Sequence, residues 1–438
     1  MFAAAQSEVR LVAIADGASG GVTVWLWLAA CLWAMPCLAD QGTPYIPSGG
    51  DVVLQTVPSI ADPRVRAFQA LRAQQTARPR DMALAVRLSA AYLDYGRDTG
   101  DARYLGRSAA VIAPWMILHP VPIPVLLVHA TILQSKHYFS AARADLIDIL
   151  ERQPNDAQAL LTLATVAQVQ GDFETTRQAC RYLLSAGDPF SPLVCLSSLN
   201  SITGHAAASA RVLRALWPRA HSQPLPIQSW MQGIMADTAK YLGDDAAADQ
   251  HFQEALQLAP GDNFLLADYG DFLLDQHRPR AALELVKDYS QSDTSFLRQV
   301  YAEVALHSPR AQSDIEQMAR RLAALDQRGS RTYRREEAGF ALYVEHDPLR
   351  ALKLAEENWT VQRAPEDMRV FLEAALAAHE PRAAQPVLDQ LARSHFEYRA
   401  VVKLADRARH ILVQSPSAAR AAAAAAPGAR AAATGRGR

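Results

Sequence analysis

The fold is decided by the stretch Ser229–Asp262, which reads SWMQGIMADTAKYLGDDAAADQHFQEALQLAPGD. A second block, Pro124–Asp156, reads PVLLVHATILQSKHYFSAARADLIDILERQPND and has the same internal spacing. The shared positions carry mostly small or apolar residues: Leu126, Ala130, Leu133, Ala142, Leu146 and Pro154 in one block, and Met235, Ala236, Ala248, Phe252, Ala255 and Pro260 in the other. Small residues let two antiparallel helices approach closely, and the larger residues fill the seam. Because one hairpin cannot bury such a face alone, the pattern predicts stacked helix pairs.

The turn inside each helix pair recurs along the chain. Aligning the sequence on it places turns at His137, Gly171, Gly204, Gly243, His277, His346 and His379, with a weaker turn near His307. An earlier pair over roughly 81–95 and 101–112 forms a first unit with a stretched turn. This spacing resembles the tetratricopeptide repeat, a helix-turn-helix unit of about 34 residues. The resemblance implies an all-α solenoid of about eight to nine antiparallel helix pairs in a right-handed superhelix. We expect this array to span residues 62–412.

Composition agrees with a helical array. Half of the residues (50%) are hydrophobic but only 7% are aromatic, which suits close helix packing better than a β-rich core. The formal net charge is −1, so bulk electrostatics gives no preference for nucleic acid. We therefore expect no nucleic-acid partner.

The amino terminus carries an apolar run, Val22–Met35, followed by small residues and then by polar ones. This order predicts that residues 1–39 are a signal peptide cut after Ala39. The run is shorter than a typical transmembrane helix. Two alternatives stay open: the sequence before Cys31 matches a bacterial lipobox, which would place a lipid on that cysteine, or the segment is an uncleaved anchor or no export signal. We expect a periplasmic or exported protein of a Gram-negative envelope, touching the membrane only through this segment or that lipid.

The two segments that flank the array differ from it in composition. Residues 40–61 are rich in proline, glycine and β-branched residues, which predicts an extended arm or linker. Residues 413–438 consist largely of alanine, arginine and glycine. Such a composition lacks an apolar face to bury, so this tail is predicted to be disordered.

Cleavage after Ala39 would leave two of the chain's four cysteines, Cys180 and Cys195. The repeat alignment places them on adjacent helices. In an oxidising compartment a disulfide across this short loop would stabilise the fold by roughly 3 kcal/mol. The alternative is two buried thiols that act as small apolar fillers.

The sequence offers no catalytic or metal-binding motif that we can identify. Histidines recur at the predicted turns, and four of them begin a His-x-Pro pattern. Successive turns are separated by packed helices whose axes lie ~8–10 Å apart, so these rings would not converge on one ion. Proline also suits the start of the second helix, which explains the pattern structurally. We therefore expect no metal, no cofactor and no enzymatic activity.

The resemblance also implies a binding groove, because the first helix of each pair forms the inner face of such arrays. In the carboxyl-terminal half this face interleaves aromatic and charged residues, as binding hot spots often do. The predicted groove residues are Trp230, Asp237, Lys240, Asp271, Tyr333, Glu336, Tyr343, Arg369 and Glu373. Among the nearby aromatics, Phe264 and Phe340 best suit the core. The face predicts a protein partner that presents apolar and basic groups.

These observations predict a non-enzymatic protein-binding scaffold or accessory factor of the bacterial cell envelope. A second hypothesis is an accessory of envelope transport or polysaccharide export, in which the groove holds a glycan or a small molecule. A third is a cytoplasmic scaffold, if the leader is not an export signal. The resemblance is specific for architecture, while function rests on the groove itself.

Overall fold

The computed structural model describes residues 62–187 and 189–414. In this part the chain forms twenty α-helices and no strand, so the all-α class is confirmed. The predicted signal peptide (1–39), arm (40–61) and nearly all of the tail (413–438) lie outside the described residues. The helices are α1 (Pro63–Ala77), α2 (Met82–Thr99), α3 (Ala102–Met116), α4 (Ile123–Ser135), α5 (Phe139–Arg152), α6 (Ala157–Val169), α7 (Phe173–Tyr182), α8 (Phe190–Ser201), α9 (Ala206–Ala220), α10 (Leu225–Leu242), α11 (Asp245–Leu258), α12 (Asn263–Asp275), α13 (Pro279–Val286), α14 (Asp293–Ala305), α15 (Ala311–Gln327), α16 (Arg334–Tyr343), α17 (Pro348–Trp359), α18 (Pro365–Ala377), α19 (Gln385–Ser394) and α20 (Arg399–Gln414).

Eighteen of these helices form nine consecutive pairs, from α2/α3 to α18/α19. The two helices of most pairs pack closely on each other, and successive pairs stack along the described chain. Helix α1 packs on α2, and α20 packs on α18, so both ends of the described array are covered. The predicted solenoid of eight to nine helix pairs is confirmed. None of the helices in residues 62–187 and 189–414 is long and apolar enough to cross a membrane.

Each of the nine pairs turns at one residue with a left-handed backbone. Four turns use glycine, at Gly100, Gly171, Gly204 and Gly243, with φ from 68° to 75°. Five use histidine, at His137, His277, His307, His346 and His379, with φ from 51° to 59°. All eight predicted turns are confirmed, and Gly100 adds the turn of the first pair. Histidine is one of the few non-glycine residues enriched in this region of backbone space, so its recurrence has a structural cause.

We expect His277→Val to lower the free energy of unfolding by about 1–2 kcal/mol, because a β-branched side chain tolerates the left-handed backbone poorly. His277→Gly should be nearly neutral, since relief of backbone strain is offset by the larger entropy of the unfolded chain. Urea unfolding followed by circular dichroism measures both. The control is His410→Val, an exposed position inside α20. Equal losses of unfolding free energy in the two valine variants would show that the left-handed turn conformation does not affect stability.

The seam between the helices of each pair is built as predicted. All of the small-residue positions are buried, including Ala130, Ala142, Ala236, Ala248 and Ala282, each with no exposed surface. Aspartate side chains cap many helix starts and accept hydrogen bonds from the first turn, as Asp244 does from the Ala247 N–H at 3.2 Å. Such caps satisfy backbone donors that have no partner inside the helix.

The two aromatics assigned to the core behave differently. Phe340 is buried, with 1% of its surface exposed, and packs in the cluster around Phe296 and Leu322. Phe264, in contrast, is 60% exposed, so its assignment to the core is wrong. The reason is its place in the first turn of α12, two residues after the cap Asp262.

The structure joins Cys180 of α7 and Cys195 of α8 in a disulfide, with a Cα–Cα distance of 5.6 Å. Both residues are buried, at 0% and 4% exposure. The bond therefore ties the third helix pair to the fourth inside a shared apolar cluster.

Candidate functional site

The described array closes on itself, because pairs that are distant in sequence touch at their helix ends and turns. The Arg363 N–H donates a hydrogen bond to the Val169 carbonyl at 2.7 Å. The Thr332 hydroxyl lies 3.4 Å from the Lys136 carbonyl, which accepts its hydrogen bond. The sequence predicted a groove along the first helices; these contacts bring helix pairs that are distant in sequence together.

The turn at Gly204 is part of this closure, since a Cβ added there would lie 3.0 Å from both the Cβ and the carbonyl oxygen of His395. We expect Gly204→Ala to destabilise the fold by about 2 kcal/mol, from backbone strain plus this clash. The matched control is Gly187→Ala, which has a similar φ of 89° and nothing within 4 Å. This variant should lose only the stability that backbone strain costs, about 1 kcal/mol. Chemical denaturation measures both variants, and equal losses would contradict the contact.

A cavity of about 390 Å³ lies in the carboxyl-terminal half of the array. It is lined by the first helices of the last five pairs, α10, α12, α14, α16 and α18, together with Tyr398 just before α20. The first helix of each pair therefore provides the inner face, as the resemblance implied. The volume lies within the range of small-ligand sites.

The cavity wall is densely charged. Among the described residues, five carboxylates line it, from Asp268, Asp271, Asp275, Glu336 and Glu366. Four cationic side chains also line it, from Lys240, Arg298, Arg335 and Arg369. Three tyrosines, Tyr301, Tyr343 and Tyr398, and several apolar residues complete the wall.

Arg298 of α14 forms a two-pronged ion pair with Asp271 of α12, with nitrogen–oxygen distances of 2.9 and 2.6 Å. The arginine is buried at 4% exposure. Its stem crosses Gly270, where an added Cβ would lie 3.1 Å from the Arg298 Cγ. Burial opposes the charge, but Asp271 and Glu336 outweigh it and raise the pKa of the guanidinium. The pair ties the sixth helix pair to the seventh.

Lys240 of α10 lies between two carboxylates. Its Nζ is 2.8 Å from Asp237 Oδ1 and 3.3 Å from Glu366 Oε1 of α18. Burial opposes the lysine's charge, but these two carboxylates hold its pKa well above the usual value. Burial likewise opposes the charge of Glu366, yet Lys240 and Arg335 lower its pKa. This pair joins helices of the fifth and ninth pairs.

Arg335 and Arg369 are also paired with carboxylates. Arg335 Nη2 lies 2.9 Å from Glu336 Oε1, and its Nη1 lies 4.0 Å from Asp367 Oδ1. Arg369 binds Asp275 with both terminal nitrogens, one of them at 2.8 Å, and its Nε donates to Glu373 at 2.9 Å. All four cations of the wall are therefore occupied by the protein's own carboxylates.

Asp268 is the exception among the wall's charged groups. None of the described residues forms a hydrogen bond or a close ion pair with its carboxylate. Burial, together with the negative charges of Asp237 and Glu366, raises its pKa to about 8, against the opposing charges of Lys240 and Arg335. At neutral pH this carboxyl group is therefore largely protonated.

Tyrosines form the aromatic part of the wall. Tyr343 is 40% exposed, and its hydroxyl hydrogen-bonds with Glu373. Its ring meets that of Tyr301 edge to face, with centroids 5.7 Å apart. Gly339 leaves room for Tyr301, because an added Cβ would lie 2.7 Å from the Tyr301 hydroxyl oxygen. No described residue hydrogen-bonds with this hydroxyl.

The structure gathers most of the predicted groove residues in one place. Lys240, Asp271, Glu336, Tyr343 and Arg369 line the cavity. Asp237 and Glu373 lie beside it and pair with Lys240 and Arg369 respectively. Trp230 and Tyr333 do not line it: Trp230 packs against two apolar clusters, and Tyr333 packs near Phe296 and Leu297.

Several wall residues were missing from the predicted set, including Asp268, Asp275, Arg298, Tyr301, Arg335 and Tyr398. A signal for some of them exists in the sequence, because Asp268, Asp271 and Asp275 recur at intervals of three and four on α12 and so share one face. Arg298 and Tyr301 fall in the seventh pair, whose match to the repeat is poor. Tyr398 lies outside the helix pairs, and no repeat position predicts it.

Within the described residues no group of three or more His, Cys, Asp or Glu side chains is arranged to hold a metal ion. The wall's paired charges and open aromatic surface are features of a binding site. They support recognition of a ligand by charge and by apolar contact.

No protein-family model matches this sequence, and no curated protein is similar to it in sequence. Similar solved structures include a chain of the APC/C hetero-tetramer Cut9–Hcn1, at 13% identity and a TM-score of 0.46. That alignment covers 75% of this chain but spans only 63% of the other chain's length. A tetratricopeptide repeat protein from Parabacteroides merdae is 11% identical, with a TM-score of 0.34 and coverage of 70% and 99%. The human IFIT1 dimer with m7Gppp-AAAA is 13% identical, with a TM-score of 0.44 and coverage of 80% and 87%. The tetratricopeptide-like architecture rests on the nine helix pairs, their turns and their seams, and these similarities add no functional argument.

Proposed function

We propose that this chain is a non-enzymatic binding scaffold or accessory factor of the bacterial cell envelope, which holds a protein partner at the cavity of its carboxyl-terminal half. The observation that carries the proposal is the cavity itself. It combines exposed aromatic surface at Tyr343 with an unpaired carboxyl group at Asp268. A partner segment that presents apolar and basic groups complements this surface.

The closure of the array limits how a partner binds. Contacts such as Arg363 to Val169 join distant helix pairs, and in this proposal the partner binds at the cavity and not along the whole array. A short partner segment that inserts one or two side chains fits a space of about 390 Å³. Binding of this kind needs no large rearrangement of a preformed pocket.

The envelope location is part of the proposal and is supported by the signal-like order of residues 1–39. The disulfide between Cys180 and Cys195 agrees with an oxidising compartment. Fractionation of a Gram-negative host that expresses the full chain tests this point. Recovery only from the cytoplasm would contradict it.

A second candidate function is favoured by the size of the cavity. A volume of about 390 Å³ also suits a small ligand, so the chain would then be a ligand-holding accessory of envelope transport or polysaccharide export. The two candidate functions differ in the molecule that binds in the cavity, a protein segment or a small ligand. One experiment distinguishes between them.

That experiment places a photo-crosslinking amino acid at Tyr343, at the edge of the cavity, in the full chain expressed in a Gram-negative host. The control position is Gln257, which is exposed on α11, the second helix of its pair. We expect a protein captured from position 343 and not from position 257, which then binds the purified chain. A folded, exported chain that captures no protein from either position would contradict the scaffold and favour the small-ligand function.

A further inference from the structure

We infer that the cavity binds a primary ammonium group on an apolar stem, with Asp268 as its counter-ion. This inference rests on the proposed function, because it names the chemical group that fills the same cavity. It does not depend on whether the ammonium comes from a lysine side chain or from a free amine.

The charges of the wall favour a cation over an anion. Lys240, Arg298 and Arg369 are each held by at least one carboxylate within 3.3 Å, and Arg335 is held by Glu336. An anion would have to displace these pairs. Asp268, in contrast, has no ion-pair partner among the described residues, so a cation displaces only a proton there and breaks no ion pair.

The remaining wall suits an ammonium with an alkyl stem. A primary ammonium donates three hydrogen bonds from a compact charge, whereas a guanidinium needs acceptors in a planar arrangement. Besides Asp268, Tyr301 and Tyr398 line the cavity, and neither hydroxyl has a hydrogen-bond partner among the described residues. Tyrosine rings also attract cations. Leu297, Val304 and Val370 supply apolar surface for the stem.

Binding of an ammonium group should depend on pH in a defined way. The pKa of Asp268 is about 8, because burial and the charges of Asp237 on α10 and Glu366 on α18 favour the protonated form, against Lys240 on α10 and Arg335 on α16. The two nearby charges on α14 and α12, Arg298 and Asp271, are paired with each other. An ammonium ion must therefore displace the Asp268 proton, so affinity should rise with pH up to about 8 and binding should release a proton.

The test is calorimetric titration of the purified full chain with n-pentylamine, with 1-pentanol as its neutral counterpart. We expect the amine to bind, the alcohol to bind at least tenfold more weakly, and amine affinity to rise by about 25-fold between pH 6.5 and 8.5. Repeating the titration in buffers of different ionisation enthalpy should reveal proton release. Equal affinity for amine and alcohol, or no binding of the amine, would overturn the inference.

The decisive variant is Asp268→Asn, which keeps the shape of the side chain and is expected to fold because the native carboxyl is largely protonated at neutral pH. We expect it to weaken amine binding at least tenfold and to abolish proton release. The matched control is Asp406→Asn, whose carboxylate is exposed on α20 and pairs with Arg409; it should bind as the wild type does. Unchanged amine affinity in the folded Asp268 variant would also overturn the inference.

A second probe identifies the source of the ammonium. The blocked tripeptide acetyl-Gly-Lys-Gly-amide carries the group on a lysine side chain. Binding of this peptide that depends on Asp268 assigns the site to a protein partner, whereas binding of pentylamine alone assigns it to a free amine. Capture of a protein at position 343 without binding of either amine would leave the proposed function standing and refute this inference.

Discussion

Arg298→Met should lower the free energy of unfolding by about 3 kcal/mol, at the lower end of the range for breaking a buried ion pair. The variant removes a guanidinium that is 4% exposed and leaves Asp271 without its partner. Asp271 keeps 34% of its side-chain surface exposed, so water from the cavity relieves part of the cost. The loss should appear in chemical denaturation as a lower midpoint with an unchanged slope.

Two further variants separate charge from packing. In Arg298→Met/Asp271→Leu no charge is left unpaired, and we expect most of the lost stability to return, because apolar replacement of a buried ion pair is often neutral. Arg278→Met is the matched surface control, since Arg278 is 44% exposed and pairs with Asp249. It should cost less than about 1 kcal/mol. Equal losses at positions 298 and 278 would refute the buried pair.

Loss of the disulfide should have an effect of similar size. Cys180→Ala/Cys195→Ala should lower stability by about 3 kcal/mol, as expected for a bridge that closes a loop of about 15 residues. The main cause is the greater freedom of the unfolded chain, since both alanines still fit the buried site. Thermal unfolding with and without a reductant measures it. The wild type should lose stability in reductant, and the double-alanine variant should not respond.

A wild type that is insensitive to reductant would contradict the bridge. The single variant Cys195→Ala provides an internal check, because it removes the bridge but leaves the Cys180 thiol in place. It should match the double variant to within about 0.5 kcal/mol if the bridge itself carries the effect.

Much of the architecture can be predicted from the sequence, because the same pattern of small, apolar and turn residues recurs in each repeat. The turns at His277 and His346, for example, follow from the repeat spacing, and the left-handed backbone explains why histidine can replace glycine there. Periodic patterns of this kind depend on residues that are close in sequence, so they can be recognised without knowledge of the fold. The seam alanines were predicted for the same reason.

The candidate site was only partly predictable because it depends on contacts between distant pairs. The repeat face led to Lys240 and Arg369, but nothing in the local pattern shows that Arg369 meets Asp275 or that Lys240 meets Glu366. Those contacts arise from the superhelical winding of the array. The winding is the sum of the small rotations between successive helix pairs. Phe264 shows that local sequence can also mislead. Its apolar side chain suggested a core position, but its place at a helix start leaves it exposed.

The contact between distant helix pairs is the central claim, because it brings Glu366 of the ninth pair against Lys240 of the fifth in the cavity wall. The most direct test places a photo-crosslinking amino acid at Arg363 of the purified chain, whose backbone N–H meets the Val169 carbonyl at 2.7 Å. Mass spectrometry of the digested product should find an intrachain crosslink to the segment around residues 169–171. A folded chain that forms no crosslink to that segment would contradict the contact between these distant helix pairs.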